Sequence, residues 1–301
     1  MRPISAIRQR IEDEGCLHTV RRGWRGRWHF ENLPCLITWL DVGLQLIRLK
    51  SWGMRNALDI QVESIELRFT NLPRAFDGYR LLLLTDLHID GNEPLVERVL
   101  EKTSTLEYDL CLLGGDYAFP NNCESTRATT LMTRITQHLT QQSRVVGILG
   151  NHDRYSMAEC LSATGVEMLI NEYTCVEKDG ACLYLSGLDD GHYFKSADIG
   201  QASTGISEDA FKIILGHTPE MATEAARAGY HLYLAGHTHG GQVCLPGGIA
   251  LVTCATIPRR MLKGMWLKQG MIGYTCRGTG TSGLPVRFYC PPEITCLTLR
   301  C

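Results

Sequence analysis

Five apolar runs in this sequence each end in aspartate, asparagine or histidine. The runs lie at residues 80–84, 109–113, 144–149, 211–215 and 230–235. Their length and aliphatic content predict buried β-strands of an α/β fold. Helical patterns follow at residues 93–106, 124–141 and 220–228. Because ligand sites of α/β sheets lie at the carboxyl ends of the strands, we expect the polar residues after these runs to meet at one site.

The polar residues at the five ends are typical metal ligands. Counted together, they are Asp86, His88, Asp116, Asn151, His217, His237 and His239. His237 and His239 are two residues apart, and side chains at that spacing on an extended segment project to the same side. Seven ligands are too many for one ion, whereas two ions that share a carboxylate fit the number. The mixed nitrogen and oxygen set, without thiolate, favours Mn²⁺, Fe or Zn²⁺ in a catalytic site over a structural zinc.

These motifs resemble those of the calcineurin-like metallophosphoesterase family. The matching segments are Asp86-Leu-His88, Gly115-Asp116, Gly150-Asn151-His152-Asp153, Gly216-His217 and Gly236-His237-Thr-His239. The chain is most similar to a bacterial branch whose last motif continues as Gly-His-Thr-His-Gly-Gly-Gln, as at residues 236–242. Arg277-Gly-Thr-Gly280 and Pro292-Glu293-Ile294 also match that branch. The resemblance covers about residues 60–301 and leaves the N-terminal residues unexplained.

The resemblance implies a four-layer α/β/β/α sandwich that binds two divalent ions, with Mn²⁺ preferred. Asp86, His88 and His239 would hold the first ion, Asn151, His217 and His237 would hold the second, and Asp116 would bridge them. His152 would contact the phosphate and protonate the leaving oxygen, because imidazole can donate a proton near neutral pH. A buried structural role is the alternative for His152.

The charge distribution separates the N-terminal residues from the rest of the chain. Residues 1–55 contain ten Lys and Arg against five Asp and Glu, so they carry +5, and the remainder carries −7. This asymmetry favours an anionic partner for the N-terminus and argues against a nucleic-acid surface on the main domain. We predict a basic arm and amphipathic helix over residues 1–58 and a catalytic domain over 59–301. The alternating pattern at residues 60–70 predicts the first strand of that domain.

The N-terminal residues are predicted to form a polar surface arm followed by an amphipathic helix over residues 32–50. Asn32 would cap this helix, and its polar stripe contains Thr38, Asp41, Gln45 and Arg48. Its opposite face contains Leu33, Leu36, Ile37, Leu40, Leu44 and Ile47. The helix is too short and too polar to span a bilayer, but it suits a membrane interface, with Trp39 and Trp52 at the headgroup boundary. Packing on the catalytic domain is the alternative.

The thirteen cysteines are odd in number and contain no Cys-x-x-Cys pair, which predicts reduced, mostly buried thiols. Together with the absence of a secretory signal pattern in residues 1–31, this indicates a cytoplasmic protein. An interfacial helix would place it peripherally on the inner face of the cell membrane. A twin-arginine export signal at Arg21-Arg22 is disfavoured, because Asp41 interrupts the apolar region that would follow.

The expected reaction is hydrolysis of a phosphoester or pyrophosphate by a metal-bound hydroxide. The basic amphipathic N-terminus favours an amphiphilic phosphate substrate, and the family resemblance suggests UDP-2,3-diacylglucosamine of lipid A synthesis by analogy. A soluble nucleotide phosphodiesterase is one alternative. A non-catalytic protein on the same fold is another, but it would have lost ligands that this chain keeps. Two segments, residues 187–205 and 246–273, are predicted to be either lids over the site or packed loops.

Overall fold

The computed structural model of the chain describes residues 4–14, 34–119, 123–251 and 255–301, with the backbone alone at residues 34–38. Its strands are β1 Gln61–Arg68, β2 Arg80–Leu84, β3 Leu110–Leu113, β4 Arg144–Gly147, β5 Glu167–Met168, β6 Glu172–Lys178, β7 Ala181–Gly187, β8 Lys212–Leu215, β9 Leu232–Ala235, β10 Cys244–Leu245, β11 Ile249–Ala250, β12 Gly264–Lys268, β13 Met271–Thr275 and β14 Glu293–Arg300. Its helices are α1 Ala6–Asp13, α2 Pro34–Leu46, α3 Lys50–Asn56, α4 Leu95–Thr103, α5 Thr126–Gln142, α6 Tyr155–Ala163, α7 Ile199–Ala202 and α8 Ala222–Arg227.

The strands of the described residues form two six-stranded sheets and a small hairpin. The first sheet has the order β1-β14-β2-β3-β4-β5, and the second has the order β12-β13-β9-β8-β7-β6. Parallel pairs make up the centre of each sheet, from β2 to β5 in the first and from β13 to β7 in the second. The predicted strands at the five motifs and at residues 60–70 are therefore present, but they are divided between two sheets.

Three apolar clusters separate four layers. Alternate residues of a strand point to opposite faces, so Leu82 and Leu84 pack against α4, α5 and α6, while Leu81 and Leu83 face the second sheet. On the far side of the second sheet, Ile214 and other residues pack against α7 and α8. The order helix, sheet, sheet, helix confirms the predicted α/β/β/α fold.

The predicted helix over residues 32–50 is wrong in its extent. Helix α2 ends at Leu46, and α3 begins at Lys50. Between them Arg48 adopts the left-handed conformation with φ 58°, the Leu49 N–H donates to the Leu44 carbonyl, and the Arg48 N–H donates to the Gln45 carbonyl. These are the two hydrogen bonds of a Schellman motif, which ends a helix. The predicted Asn32 cap lies outside the described residues.

The predicted polar surface arm is also wrong in one part, since residues 6–13 form helix α1 and its Arg8 is completely buried. Arg8 contacts Asp189 and Asp153 of the catalytic domain. The boundary between an arm at 1–58 and a domain at 59–301 stays a prediction. No helix among the described residues is both long enough and apolar enough to cross a bilayer.

The cysteines only partly follow the expectation of reduced thiols. A disulfide joins Cys175 on β6 to Cys182 on β7, and Cys123 is also disulfide-bonded. The free cysteines among the described residues are mostly buried. The spacing of the cysteines did not predict the Cys175–Cys182 disulfide, because the turn between β6 and β7 contains no sequence pattern that indicates a cysteine pair.

Candidate metal centre

Five of the seven predicted ligands have positive φ. The values are 53° at Asp86, 40° at His88, 57° at Asp116, 69° at His237 and 49° at His239. Positive φ is uncommon in non-glycine residues, although Asp and His adopt it more readily than most, and strained backbone is concentrated at functional sites. Here two hydrogen bonds join the backbone segments that follow β2 and β3. The Asp86 N–H donates to the Gly115 carbonyl, and the His88 N–H donates to the Asp116 carbonyl.

Asp86, His88 and His239 form one half of the site. The Nε2 atoms of His88 and His239 are 3.2 Å apart, and the His239 Nε2 is 3.6 Å from the Asp86 Oδ1. All three side chains are buried. One ligand atom from each lies within 4.8 Å of the others, which is the spacing of a metal site.

Asn151, His217 and His237 form the other half. The Asn151 Oδ1 is 3.0 Å from the His217 Nε2, and His237 groups with His217 and Asp116 within 4.8 Å. The His237 Nε2 is buried and has no hydrogen-bond partner among the described residues. A buried imidazole nitrogen without a partner is costly, and a bound metal ion would provide the missing partner.

Asp116 lies between the two halves. Its Oδ2 is 3.3 Å from the His217 Nε2 and 3.6 Å from the His88 Nε2, so the two halves share this carboxylate. Burial raises the pKa of Asp116, but the imidazoles of His217 and His152 hold it well below its usual range. Asp116 is therefore an ionised carboxylate, whose charge favours a cation beside it.

The histidines present the nitrogen that a metal ion requires. The Nδ1 of His88 is 2.9 Å from the Ala118 carbonyl, and the Nδ1 of His217 is 2.8 Å from the Gly114 carbonyl. Each Nδ1 therefore carries the proton and donates it, which leaves Nε2 as the ligating atom. Burial and the nearby His152 lower the pKa of His88 to about 3, so its imidazole is neutral. Burial lowers the pKa of His217, but Asp116 raises it to about 10, so without a cation His217 also carries a proton on Nε2, which a bound metal ion would displace.

Two glycines make room for the ligand carboxylates. A Cβ atom at Gly150 would lie 2.1 Å from the Asp116 Oδ1, and one at Gly236 would lie 2.3 Å from the Asp86 Oδ2. Both glycines belong to the predicted motifs. The donor set, the buried His237 nitrogen and these close approaches fit divalent metal ions at the predicted residues.

His152 is placed beside the cluster. Its backbone N–H donates to the Asp116 Oδ1 at 2.9 Å, and its Nδ1 is 2.8 Å from the Phe119 carbonyl. Its ring centroid is 4.5 Å from that of His88. The Nε2 atom, 3.9 Å from the Asp116 Oδ2, is thus the side of the ring that faces the site.

Three residues that support the site received no role from the sequence. The Asp153 carboxylate accepts hydrogen bonds from the N–H groups of Asp116, Tyr117 and Gly150. Its position in the Gly150–Asp153 motif could have indicated a role at the site. Arg287 is completely buried, and one of its terminal nitrogens is 3.3 Å from the His239 Nδ1. No local pattern marks this arginine.

The third is His192, which lies in the segment 187–205 that was predicted to be a lid or a packed loop. Its ring centroid is 4.4 Å from that of His237, and its Nδ1 is 3.1 Å from both carboxylate oxygens of Glu220. The segment around it therefore packs beside the second half of the site.

Comparison with known proteins identifies the family of this chain. A model of the calcineurin-like phosphoesterase family matches residues 79–241, which contain all the ligand positions described above. The chain belongs to the calcineurin-like phosphoesterase family. As a calcineurin-like phosphoesterase with a metal-ligand cluster at the family's motifs, it is a metal-dependent phosphoesterase.

Several curated relatives of this phosphoesterase are similar over most of its length. The uncharacterized metallophosphoesterase YkuE of Bacillus subtilis is 27% identical, over 80% of this chain and 86% of YkuE. Phosphodiesterase YaeI of Escherichia coli is 27% identical, over 73% of this chain and 82% of YaeI. A transmembrane protein with metallophosphoesterase domain from Danio rerio is 27% identical over 84% of this chain, which spans only 60% of that protein.

Solved structures are also similar to the chain, at lower sequence identity. TT1561 of Thermus thermophilus is 13% identical with a TM-score of 0.42, over 67% of this chain and 90% of TT1561. The assignment to the family rests on the family model and on the metal-centre residues.

Proposed function

We propose that this phosphoesterase uses two divalent ions to hydrolyse a phosphodiester or pyrophosphate bond in an amphiphilic substrate, at the inner surface of the cell membrane. A lipid-linked nucleotide such as UDP-2,3-diacylglucosamine has the required chemistry. The observation that carries the choice of substrate is an exposed apolar surface that is connected by direct contacts to the turn bearing His239.

The proposed ligand sets follow the two halves of the site. Asp86, His88 and His239 hold one ion, Asn151, His217 and His237 hold the other, and Asp116 is shared. Bound divalent ions would polarise the phosphoryl group and acidify water. The nitrogen and oxygen donors favour Mn²⁺, with Fe or Zn²⁺ as alternatives.

His152 is the proposed proton donor. Since its Nδ1 donates to the Phe119 carbonyl, the protonated imidazole presents its Nε2–H toward the site. A donor at this position can protonate the oxygen of the leaving group as the ester bond breaks. The backbone bond from His152 to the Asp116 Oδ1 fixes the distance between this donor and the metal ligands.

The apolar surface begins on helix α2. Trp39, Leu46 and Ile47 are 73%, 79% and 62% exposed, so they do not pack on the catalytic domain. This exposure argues against the alternative in which the helix is buried there. Large apolar side chains at such exposure on a helix next to basic residues are typical of a membrane interface.

A second part of the apolar surface lies on the β10–β11 hairpin. Leu245 and Ile249 at its tip are 47% and 57% exposed. The hairpin rests on the metal-centre turn, since the Cys244 Sγ is 3.5 Å from the Gly240 carbonyl.

Direct contacts connect the two parts of this surface. The Cys244 N–H of the hairpin donates to the Phe288 carbonyl at 2.9 Å. The Trp52 ring of α3 packs on the rings of Phe288 and Tyr289. A membrane that contacts both parts would therefore lie next to the metal centre.

Basic residues border the same surface. Arg48 follows α2, Arg55 is on α3, and Arg259 and Arg260 precede β12, and all four are exposed. The Lys263 Nζ bonds to the Gly248 carbonyl in the hairpin turn. Each such cation adds about 1 kcal/mol of attraction to an anionic membrane surface.

The membrane part of the proposal is tested by Ile47→Glu. The apolar residue should enter the headgroup boundary, so this variant should lose about tenfold or more of its co-sedimentation with anionic liposomes. Turnover of a small soluble phosphodiester and thermal stability should stay unchanged. Gln45→Glu adds the same charge on the polar stripe of α2 and should change liposome binding less than twofold.

Binding that is insensitive to Ile47→Glu, or a variant that unfolds, would contradict the membrane proposal. Wild-type binding should also weaken as the salt concentration rises. The substrate class is tested by assaying the Mn²⁺-loaded protein with UDP-2,3-diacylglucosamine and with a panel of soluble nucleotide diesters. Preference for the soluble diesters would favour the alternative of a nucleotide phosphodiesterase.

A further inference from the structure

We infer that Arg8 of the N-terminal helix α1 is a positioning residue of the metal centre. It holds two loops that flank the second half of the site, residues 150–155 and 189–194. The inference rests on the proposed function in one respect, because it takes Asn151 as a ligand and His152 as the proton donor. It adds a role for a segment that precedes every motif of the family.

Arg8 is completely buried and contacts four groups. Its Nε donates to the Glu12 Oε1 at 2.9 Å, and its two terminal nitrogens donate to the Asp189 carboxylate and to the Asp153 backbone carbonyl. Its guanidinium carbon lies 4.1 Å above the ring of Phe194. A planar guanidinium can satisfy these partners together, whereas a lysine ammonium cannot reproduce the forked geometry.

The first loop is held from both sides. On its inner side, the Asp153 carboxylate accepts the N–H groups of Asp116 and Gly150. On its outer side, Arg8 binds the Asp153 carbonyl, and Glu12 accepts the Tyr155 N–H at 2.9 Å. Asn151 and His152 lie between these fixed points, so α1 limits where both side chains can lie.

The second loop is held through Asp189 and Phe194. Asp189 is buried, and its Oδ2 has no hydrogen-bond partner among the described residues, so the carboxylate depends on Arg8 for its charge compensation. The same loop carries His192, whose ring packs on the ligand His237. Loss of Arg8 would leave an unpaired buried carboxylate next to the second half of the site.

Replacement of Arg8 should therefore affect ion binding at the second half of the site more than at the first. Asn151 lies in the first of the two loops that Arg8 contacts, and His237 packs against His192 of the second. Asp86, His88 and His239 are held by β2, by the Ala118 carbonyl and by Arg287. A helix that only adds packing would lower stability without distinguishing the two ions.

The test compares Arg8→Ala with Arg10→Ala in the full-length chain. Arg10 is on the same helix and is exposed, so its removal is a matched control. Arg8→Ala should weaken the more weakly bound Mn²⁺ by about tenfold to a hundredfold, as seen when supporting contacts of ligands are removed. The electron paramagnetic resonance signal of the coupled Mn²⁺ pair should decrease in parallel, and kcat should fall more than KM rises. Arg10→Ala should stay within twofold of the wild type in Mn²⁺ affinity, in the resonance signal and in kcat and KM.

Chemical rescue separates positioning from general destabilisation. Added guanidinium chloride at low concentration should restore part of the second-ion affinity and kcat of Arg8→Ala, while sodium chloride at the same concentration should not. Arg8→Lys should lie between the wild type and Arg8→Ala, and it serves as the second variant if Arg8→Ala does not fold. A variant with lowered thermal stability but unchanged Mn²⁺ affinities and kcat would overturn the inference.

The proposed function can fail independently of Arg8. If Asn151→Ala keeps both ions or His152→Ala keeps full turnover, the assigned roles of these residues are wrong. If those two variants behave as proposed and Arg8→Ala is indistinguishable from Arg10→Ala, only the role of Arg8 is wrong.

Discussion

Asp153 is not among the predicted ligands, yet its carboxylate holds the two loops that carry Asp116 and Asn151. It accepts four backbone N–H groups that would otherwise be buried without partners. The ligand histidines are oriented in the same way, because carbonyl oxygens fix which nitrogen of His88 and His217 carries the proton. At the scale of single residues, the centre depends as much on these supports as on its ligands.

The role of His152 can be separated from metal binding. His152→Ala should keep the metal content of the wild type, because the variant retains the backbone N–H that bonds to Asp116. Turnover of an ester with a poor leaving group should fall on the order of 10²–10⁴-fold. An ester with a good leaving group should be affected much less, since it needs no proton donor. The measurements are metal content by elemental analysis and kcat for both esters; loss of metal together with activity would make His152 a ligand.

The clustering of the predicted ligands could be inferred from the sequence because each follows a recognisable strand, while their roles as ligands stay a prediction. Arg8 and Arg287 could not be predicted, since a lone arginine is normally on the surface and both are completely buried. The partner of Arg8, Asp189, is 181 residues away along the chain. Such a contact depends on the tertiary fold and leaves no local pattern.

At the scale of elements, apolar runs predicted the strands of the motifs and the helices between them. The junction of α2 and α3 was missed, because the left-handed position that ends α2 is occupied by Arg48. Glycine or asparagine is the usual residue there, and either would have indicated the break. Amphipathic periodicity continues through such a junction, so the pattern predicted one helix where the structure has two.

Helix α5 depends on a cap that also connects it to the site. The Ser125 Oγ accepts the Ala128 N–H at 3.0 Å and donates to the Asp90 carboxylate, which in turn accepts the Phe119 N–H. Ser125→Ala should lower the free energy of unfolding by about 1 kcal/mol. Urea denaturation measures this change.

Thr130→Ala is the control for the cap, because this exposed threonine bonds only within the helix among the described contacts. It should change the free energy of unfolding by less than about 0.5 kcal/mol. Equal effects of the two substitutions would show that the cap contributes nothing beyond helix propensity.

At the scale of the whole molecule, both sheets contribute to the site. Asp86, Asp116 and Asn151 follow strands of the first sheet, while His217, His237 and His239 follow strands of the second. The apolar cluster between the sheets fixes their relative position without any contribution from the ligands. We therefore expect the fold that carries the predicted ligands to form without metal.

Removal of metal should abolish activity without unfolding the chain. The purified protein should contain about two divalent ions, and chelation should leave its far-ultraviolet circular dichroism unchanged because the apolar clusters remain. Asp116→Ala should weaken both ions, whereas Asn151→Ala should weaken one. A stoichiometry of one in the wild type would be incompatible with the shared role of Asp116.

Strand β14 lies between β1 and β2 in the first sheet, although more than two hundred residues separate it from both along the chain. During translation, β1 and the facing edge of β2 have no neighbour until residues 293–300 leave the ribosome. At about 5–20 residues per second, this interval is on the order of ten seconds or more. Two unpaired strand edges exposed for that time are targets for aggregation and for chaperones. The yield of folded protein in a cell should therefore depend on chaperone capacity and on the speed of synthesis as well as on the stability of the finished fold.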